Sequence, residues 1–119
     1  MNEQVIRETE YTKVRVMDVA GAGNACHRYA VSPANAGEIC PTLTNINFQT
    51  GAIQENGVNG CQNEDLLAIV IHRLEGFQLG DFKCRENAIA LTKIQEALMW
   101  LEKRTSGRKK RGVEGKSII

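Results

Sequence analysis

The sequence predicts an α+β fold in which a small N-terminal antiparallel β-sheet precedes a C-terminal αα-hairpin with a long second helix. In the first half of the chain, apolar residues alternate with polar ones, which is the period of a half-buried strand. From residue 63 onward the apolar period changes to about 3.6, which is typical of helices. The chain has 119 residues, of which 42% are apolar. We therefore expect one domain over residues 1–119, with the sheet at about 12–55 and the helical hairpin and basic C-terminal segment at 63–111.

Four strands account for the first half of the chain. Residues 1–10 are polar, and we expect them to be loose. Val14 and Val16 alternate with polar neighbours in the first predicted strand. The next segment is rich in Gly, which tolerates positive φ, and it forms a turn. Pro33 ends the strand that follows this turn. The predicted strands cover residues 12–18, 25–32, 42–49 and 52–55, with a hairpin turn at 21–24 and a loop at 34–37.

The first long helix is predicted to begin at Asn63. The side chain of Asn63 can cap the free amides of the first turn, and Glu64 and Asp65 follow at the positive end of the helix dipole. The predicted buried stripe of this helix consists of Leu66, Leu67, Val70, Leu74 and Phe77. Residues 78–83, which include Gly80, form the turn of the hairpin.

The second long helix runs from about Cys84 to Thr105 and can continue to Arg111. Its predicted packing face consists of Ala88, Leu91, Ile94, Leu98 and Leu101. Trp100 falls nearly opposite Leu91 on the helical wheel. Because this second apolar face would be exposed in a monomer, it favours a subunit interface.

The charge of the chain is concentrated at its C-terminal end. Residues 103–116 carry seven basic residues and one acid, a net charge of +6, while the remainder carries −5. A solvated basic tail and an anion-binding segment both fit this pattern. Arg104 and Arg108 are four residues apart on one side of the predicted helix, and paired guanidinium groups suit phosphate.

No constellation of residues predicts an enzyme, a metal site or a cofactor. We interpret His72 as a residue on the polar face of the first helix or in the core.

The four cysteines, Cys26, Cys40, Cys61 and Cys84, include no C-x-x-C pair, and we expect four free thiols that act as small, mostly buried hydrophobes. No segment resembles a membrane span or a secretory signal, so we expect a soluble intracellular protein.

The stretch from residue 57 to 115 resembles the Thoeris anti-defence proteins of phages, a family of sponges. The resemblance rests on GVNG with the following NE, on LLAIVIHRLEGFQ, on CRENAIALTKIQEALMWL, and on KRT with RGVEG. With the upstream HRYAVS and FQTG it covers about 90 residues. Phage sponges that act against cyclic-oligonucleotide immunity share the helical region more distantly. The chain departs from the pattern at Ala52 and Asp81, where the family has Pro, and at Lys109 and Lys110, which favour a more highly phosphorylated ligand.

The resemblance implies a non-catalytic protein that sequesters a cyclic ADP-ribose isomer (gcADPR) in the cytoplasm of the infected bacterial host. Family members pair through their long helices and hold the ligand at the protomer boundary, and some assemble into hexamers that also hold cyclic di- or trinucleotides. The implied ligand-binding residues are Phe77, Asn87, Arg104 and Arg108. Phe77 can stack on adenine, Asn87 can hydrogen-bond the base or ribose, and the arginines can neutralise a pyrophosphate. Phe77 also completes the apolar stripe of its helix.

The spacing of Asn87 and Arg104 constrains how they can meet a ligand. They are 17 positions apart, or roughly 25 Å along a helix. No small cyclic dinucleotide spans that distance, so one ligand would have to contact Asn87 of one protomer and Arg104 of an antiparallel partner. A homodimer would then have two equivalent pockets.

Two other function classes compete with the sponge. The basic segment at 103–116 suits a nucleic-acid-binding phage accessory protein, although the chain has few aromatic residues for base stacking. A hydrolase that cleaves the signal is disfavoured because no acid–base constellation is present.

Overall fold

The computed structural model describes residues 4–35 and 42–117 and confirms the α+β class. The chain divides into two compact units, Met1–Cys61 and Gln62–Ile119. Among the described residues, the first unit holds four strands, a 3₁₀ helix (Ala22–Asn24) and a one-turn α-helix, and the second unit holds two long helices. The single-domain assignment stays a prediction.

The first unit is a four-stranded antiparallel sheet in the order β1-β2-β3-β4. Its strands are β1 (Gln4–Glu8), β2 (Thr12–Val16), β3 (Arg28–Pro33) and β4 (Thr44–Asn47). Three of the predicted strands are therefore confirmed in shortened form. The predicted loop at 34–37 extends beyond the described residues.

The prediction that residues 1–10 are loose is wrong for residues 4–8, because Gln4–Glu8 form the edge strand β1. Val5 and Ile6 are both exposed, so this strand has no buried face that would impose apolar alternation on the sequence. The register shifts between Val5 and Arg7, as in a β-bulge, and Glu8 forms an ion pair with Lys13 of β2 at 3.5 Å.

The buried residues of this unit lie on both faces of the sheet. Val16, His27, Ala30 and Ser32 are the buried residues of its described part. In the antiparallel register Val16 lies opposite Tyr29, so these two side chains share a face, whereas Ala30 and Ser32 lie opposite Arg15 and Lys13 on the other face. Tyr29 packs edge to face against Phe48, with ring centroids 5.6 Å apart. The apolar alternation that predicted β2 therefore marks the face of Val16 and Tyr29, and it does not reveal that Ala30 and Ser32 are buried on the other face.

The connection between β2 and β3 is organised by the carboxylate of Asp18. The backbone N–H groups of His27 and Arg28 donate to it, with the shortest distance 2.9 Å from His27. The hydrogen bond from His27 is the main cause of a pKa of Asp18 below its ordinary value of 3.8. The carboxylate thus replaces backbone partners where the two strands separate.

The predicted fourth strand at 52–55 is wrong: these residues lie in the one-turn helix α1 (Ile53–Asn56) and its N-cap. The carbonyl of Ala52 accepts from the N–H groups of Glu55 and Asn56, while Gly51 and Gly57 take positive φ on either side. The strand at β4 continues instead into an isolated parallel bridge between Phe48 and Cys61.

Two amide side chains hold the loop between Phe48 and Cys61 closed. The Nε2 of Gln49 donates to the carbonyl of Gly57 at 2.8 Å, and the N–H of Asn59 donates to the Oε1 of Gln49 at 3.0 Å. Asn59 also exchanges two hydrogen bonds with the backbone of Thr50, at 2.8 and 2.9 Å. These local partners, which periodicity cannot reveal, displace the predicted strand.

The second unit consists of α2 (Asn63–Gln78) and α3 (Arg85–Lys110). Gln62, and not Asn63, is the N-cap of α2, and its N–H donates to the carboxylate of Asp65 at 2.9 Å. Cys84 is the N-cap of α3, and its sulfur accepts from the N–H of Asn87. The αα-hairpin with a long second helix is confirmed.

The two helices pack antiparallel, since a groove at one end is lined by Gln62 and Glu64 with Thr105 and Lys109. The half-buried apolar residues of the two helices are Leu66, Leu67, Ile71, Leu74, Phe77, Ala90, Leu91, Ile94, Leu98 and Leu101. Val70 and Ala88, which were predicted on the buried faces, are exposed. Ile71 and Ala90 take the half-buried positions instead, because the contact stripe is rotated slightly from the one the wheel predicts.

The cysteines only partly match the expectation of buried free thiols. Cys26, Cys61 and Cys84 are free; the first two are half-buried, whereas Cys84, the N-cap of α3, is exposed. Cys40 lies outside the described residues. Neither of the long helices, nor any other helix in the described part of the chain, is long and apolar enough to cross a membrane.

The hydrogen bonds to Asp18 predict an acid-dependent loss of stability. Because the pKa of Asp18 is lower in the folded chain than its ordinary value of 3.8, its contribution is complete above pH 3.8 and is lost as the pH falls through the folded pKa. Asp18→Asn should flatten this part of the dependence of Tm on pH, measured by circular dichroism from about pH 6 to about pH 2.5. Glu10→Gln, an exposed carboxylate in the neighbouring turn, is the control and should keep the wild-type slope; equal slopes for all three proteins would contradict the role of Asp18.

Candidate functional site

Phe77 lies in the last turn of α2 and is half-buried. Its ring packs edge to face against Phe82 of the hairpin loop, with centroids 6.1 Å apart and planes at 88°. The guanidinium carbon of Arg73, one turn earlier on α2, lies over the Phe77 ring at 5.4 Å from its centroid. The ring of Phe77 therefore has protein partners on two sides.

Asn87 lies in the first turn of α3 and meets the same loop. Its Nδ2 donates to the carbonyl of Phe82 at 3.4 Å, while its backbone N–H donates to the sulfur of Cys84 at 3.4 Å. Phe77 and Asn87 thus both contact Phe82. The structure brings these two predicted residues together at the loop end of the hairpin.

The loop between the helices is closed by the side chain of Gln78. Its Oε1 accepts from the N–H of Cys84 at 3.0 Å, and its Nε2 donates to the carbonyl of Cys84 at 3.2 Å. The side-chain amide of Gln78 thus makes the same donor and acceptor pair with Cys84 that a backbone amide makes between two strands. It joins the last residue of α2 to the N-cap of α3. Residues 79–83 are consequently held at both ends.

Arg104 and Arg108 lie at the opposite end of α3 from Asn87 and have different surroundings. Arg104 is exposed, whereas the side chain of Arg108 is only 13% exposed. The positions 87 and 104 belong to one continuous helix, so the separation of roughly 25 Å expected from the helical rise applies. The structure therefore places the predicted residues in two groups, one at each end of α3.

Arg108 is bound by the segment that follows α3. Its Nε lies 3.2 Å from the carboxylate of Glu114, and its Nη2 donates to the carbonyls of Val113 and Lys116 at 2.9 and 3.0 Å. The partly buried guanidinium thus folds residues 113–116 back onto the helix end. This use of Arg108 was not predicted from the sequence.

Sequence reasoning missed four residues that shape this site: Arg73, Gln78, Phe82 and Glu114. Phe82 is a large aromatic side chain within a turn of polar and glycine residues, and that position was the signal in the sequence. Arg73 precedes Phe77 by four residues, a spacing that places the two side chains together on a helix. Nothing in the periodicity marks Gln78, which pairs with the backbone of Cys84, or Glu114, which pairs with the guanidinium of Arg108.

Metal-binding residue types do not cluster in the described part of the chain. In the stretches 4–35 and 42–117, no three His, Cys, Asp or Glu side chains form a group that could hold a metal ion. What the arrangement offers is an aromatic and amide surface at one end of α3 and basic groups at the other. These are groups that bind bases, hydroxyls and phosphates.

Comparison with known proteins identifies the hairpin. Residues 41–106 match the family model of the Acb2/Tad1 hairpin domain, which is more than half of the chain. The chain belongs to this family. It is also 60% identical over 73 residues to Thoeris anti-defense 1 of Bacillus phage SBSphiJ7. The aligned segment is 61% of this chain and 51% of that relative, so the match spans about half of the relative's length.

The match confirms the resemblance that the motifs in the sequence indicated. The Acb2/Tad1 hairpin domain as matched includes Phe77, Asn87 and Arg104, and it ends before Arg108 and the segment that Arg108 binds. The contacts of Arg108 with Val113, Glu114 and Lys116 are therefore a feature of this chain beyond the matched domain.

The contacts of Arg108 predict a local change in amide exchange. Arg108→Ala and Glu114→Gln should each raise hydrogen–deuterium exchange at residues 113–116 by about tenfold, since a hydrogen bond to a charged group contributes on the order of 1.5 kcal/mol. Mass spectrometry of C-terminal peptides would measure this change. Arg104→Ala, one turn earlier and exposed, should leave the exchange at wild-type levels; unchanged exchange in both test variants would contradict the bound C-terminal segment.

Proposed function

We propose that this protein is a sponge that counteracts Thoeris defence by binding a cyclic ADP-ribose isomer, gcADPR, without cleaving it. Sequestration in the cytoplasm of the infected bacterial host would keep the signal from its effector. The observation that carries the proposal is the 60% identity over 73 residues to Thoeris anti-defense 1, together with a family match over 41–106 that includes Phe77, Asn87 and Arg104. We extend the proposal to cyclic di- or trinucleotides at a second site.

The chemistry of the two groups supports a ligand of this class. The group at the hairpin loop, with Phe77 and Asn87, offers ring surface and an amide that suit adenine and ribose. The group at the other end offers the exposed guanidinium of Arg104, which suits a pyrophosphate. A cyclic ADP-ribose isomer contains all of these parts.

The loop end of the hairpin is also suited to tight binding. The two hydrogen bonds between Gln78 and Cys84 hold the loop in one conformation before any ligand arrives. Binding to an ordered loop avoids part of the entropy cost of association, which lowers the rate of release. Slow release is what a sequestering protein requires, and it needs no catalytic group.

We propose further that each pocket is shared between two protomers. Asn87 and Arg104 are too far apart on one helix to touch one small ligand, and an antiparallel partner helix would bring them together. The exposed face of α3 supports such pairing, since Trp100 is 54% exposed and Met99 is 52% exposed. A homodimer is thus the smallest assembly that contains a complete pocket in this proposal, and a hexamer would consist of three such dimers.

Nucleic-acid binding is the alternative that a specific observation favours. Lys109 and Lys110 are exposed at the C-terminal end of α3, next to the exposed Arg104. A sequence-independent interaction with phosphates through these groups would weaken steeply with salt and would not require a cyclic ligand.

The proposed function predicts capture of an intact ligand. Protein mixed with gcADPR, freed of unbound ligand and then heated should release uncleaved gcADPR at about one per protomer, as identified by mass spectrometry. Arg104→Glu should reduce the released amount by tenfold or more, because it replaces a phosphate partner with a repelling charge. Linear products would show a hydrolase, and no capture from wild-type protein would contradict the proposed function.

Lys93→Glu is the matched control for this substitution. It reverses the charge of another exposed residue of α3 and should leave capture at the wild-type level. Circular dichroism of both variants separates loss of capture from loss of fold. Binding of duplex DNA, measured at low and at high salt, tests the nucleic-acid alternative, which predicts an affinity that falls steeply with salt.

Shared pockets predict rescue between two inactive variants. In a heterodimer of Asn87→Ala and Arg104→Glu protomers, one pocket receives both substitutions and the other receives none. Co-refolded equal amounts should therefore recover roughly a quarter of wild-type capture, if half of the dimers are mixed and each has one intact pocket. Separately refolded variants, mixed only before the assay at a temperature that prevents exchange, are the control. Equally low capture in both mixtures would contradict shared pockets.

A further inference from the structure

One face of the β-sheet is rich in hydrogen-bond donors and positive charge. We call it the donor face and define it by five polar residues, which are Lys13, Arg15, Arg28, Asn45 and Asn47. Arg15 of β2 and Asn45 of β4 lie opposite Ala30 of β3, one on each side of it. Side chains that are directly opposed in an antiparallel sheet point to the same face, so these groups lie next to one another.

Arg15 is the central cation of the donor face. It is half-buried, yet its guanidinium makes no hydrogen bond or ion pair with any residue that the structure describes. Lys13 differs in this respect, because its Nζ lies 3.5 Å from the carboxylate of Glu8. Partial burial removes water from a charged group, so a guanidinium in this situation gains free energy from a bound anion.

Arg28 supplies a second guanidinium on the same face. It precedes Ala30 by two residues and lies diagonally across from Arg15 of the adjacent strand, with Cα atoms roughly 7 Å apart. Arg28 is exposed, and within the described ranges its side chain makes no hydrogen bond or ion pair. Two side chains of this length can reach one ligand, and their planar groups suit the oxygen atoms of phosphate.

Ser32 adds a polar group without a partner to this face. It lies opposite Lys13 and is 2% exposed. Among the described residues its hydroxyl oxygen has no hydrogen-bond partner. Buried polar atoms in folded proteins nearly always have a partner, and one that lacks it indicates a group that is still to be bound. The hydroxyl of Ser32 is thus an independent sign that the hydrogen-bonding capacity of the donor face is incomplete.

The charge of the first unit favours a small ligand over a nucleic acid. Residues 1–61 contain four basic and six acidic residues, a net charge of −2. The carboxylate of Asp18, which accepts the backbone N–H of Arg28 at 3.2 Å, lies beside the donor face. A long polyanion would be repelled by such acids, whereas a compound with one or two phosphate groups needs only the local cations.

We infer that the donor face binds a small phosphate-bearing compound, with Arg15 and Arg28 as the paired guanidinium groups and Asn45 as a further hydrogen-bond donor. The carboxamide of Asn45 is exposed and carries two N–H donors. This site belongs to the first unit and does not rest on the proposed function, whose candidate residues lie on α2 and α3.

NMR titration with sodium pyrophosphate tests the site residue by residue. In ¹⁵N-labelled protein, the side-chain Nε–H resonances of Arg15 and Arg28 and the Nδ2 resonances of Asn45 should shift and saturate below about 1 mM pyrophosphate. Sodium chloride at matched ionic strength should leave these resonances in place, because it supplies screening without a phosphate. Shifts that grow without saturation, or that occur only in α2 and α3, would overturn the inference.

Variants on the two faces of the sheet give the matching affinities, read from the Asn45 resonances. Arg28→Gln, at an exposed position, should weaken pyrophosphate binding by about tenfold, since a hydrogen bond to a charged group is lost. Arg15→Gln should do the same, with circular dichroism to verify its fold. Arg7→Gln is the control, because Arg7 is exposed and lies opposite Val14 on the other face.

The control should change the affinity by less than about twofold, since salt screens charges that do not touch the ligand. Equal losses for Arg7→Gln and Arg28→Gln would show a general charge effect and would overturn the inference. No loss for Arg28→Gln would overturn it as well.

Arg104→Glu separates this site from the proposed phosphate contact on α3. It should leave the pyrophosphate shifts of the donor face at the wild-type level, and their loss in this variant would contradict a separate site. Failure of the wild-type protein to capture gcADPR would remove the proposed function and leave this inference standing. Absence of saturable shifts at the donor face would remove this inference alone.

Discussion

The loop end of the helical hairpin depends on one carboxamide, that of Gln78, whose oxygen and nitrogen pair with the N–H and carbonyl of Cys84. Cys84 in turn caps α3 through its sulfur, so the same residue ends the loop and begins the long helix. Phe82 lies inside the closed loop and contacts both Phe77 and Asn87. A single side chain thereby couples the register of the two helices to the geometry of the groups proposed to bind a base.

At the other end of α3, the basic residues have a structural use as well as a proposed binding role. Arg108, Lys109 and Lys110 lie in the last turn, where positive charge offsets the negative end of the helix dipole. Arg108 also holds the following segment through Glu114 and two carbonyls. Arg104 has none of these contacts among those described, which makes it the more available guanidinium for a phosphate. The basic residues of this segment therefore do not share one role: Arg108 is used within the fold, whereas Arg104 is available to an anion.

The separation of the two groups along α3 links binding to assembly in the proposed function. A ligand that requires both groups must be completed by another protomer, and the exposed Trp100 face of α3 is available for that contact. Trp100 itself carries Lys103 over its ring at 5.0 Å, which keeps part of its apolar surface covered in the single chain. If two α3 helices paired in this way, they would form two equivalent pockets between them.

The sequence by itself determined the α+β class, three strands, both long helices and the family, because these depend on apolar period and on motifs that are continuous in the chain. It also indicated Phe77 and Asn87 as neighbours in function, and the structure brings them together through Phe82. Only the tertiary structure decided the edge strand at Gln4–Glu8, the helical turn at Ile53–Asn56 and the bound state of Arg108. Each of these rests on hydrogen bonds or ion pairs between particular atoms, or on a strand exposed on both faces, and none of them leaves a periodic signal in the sequence.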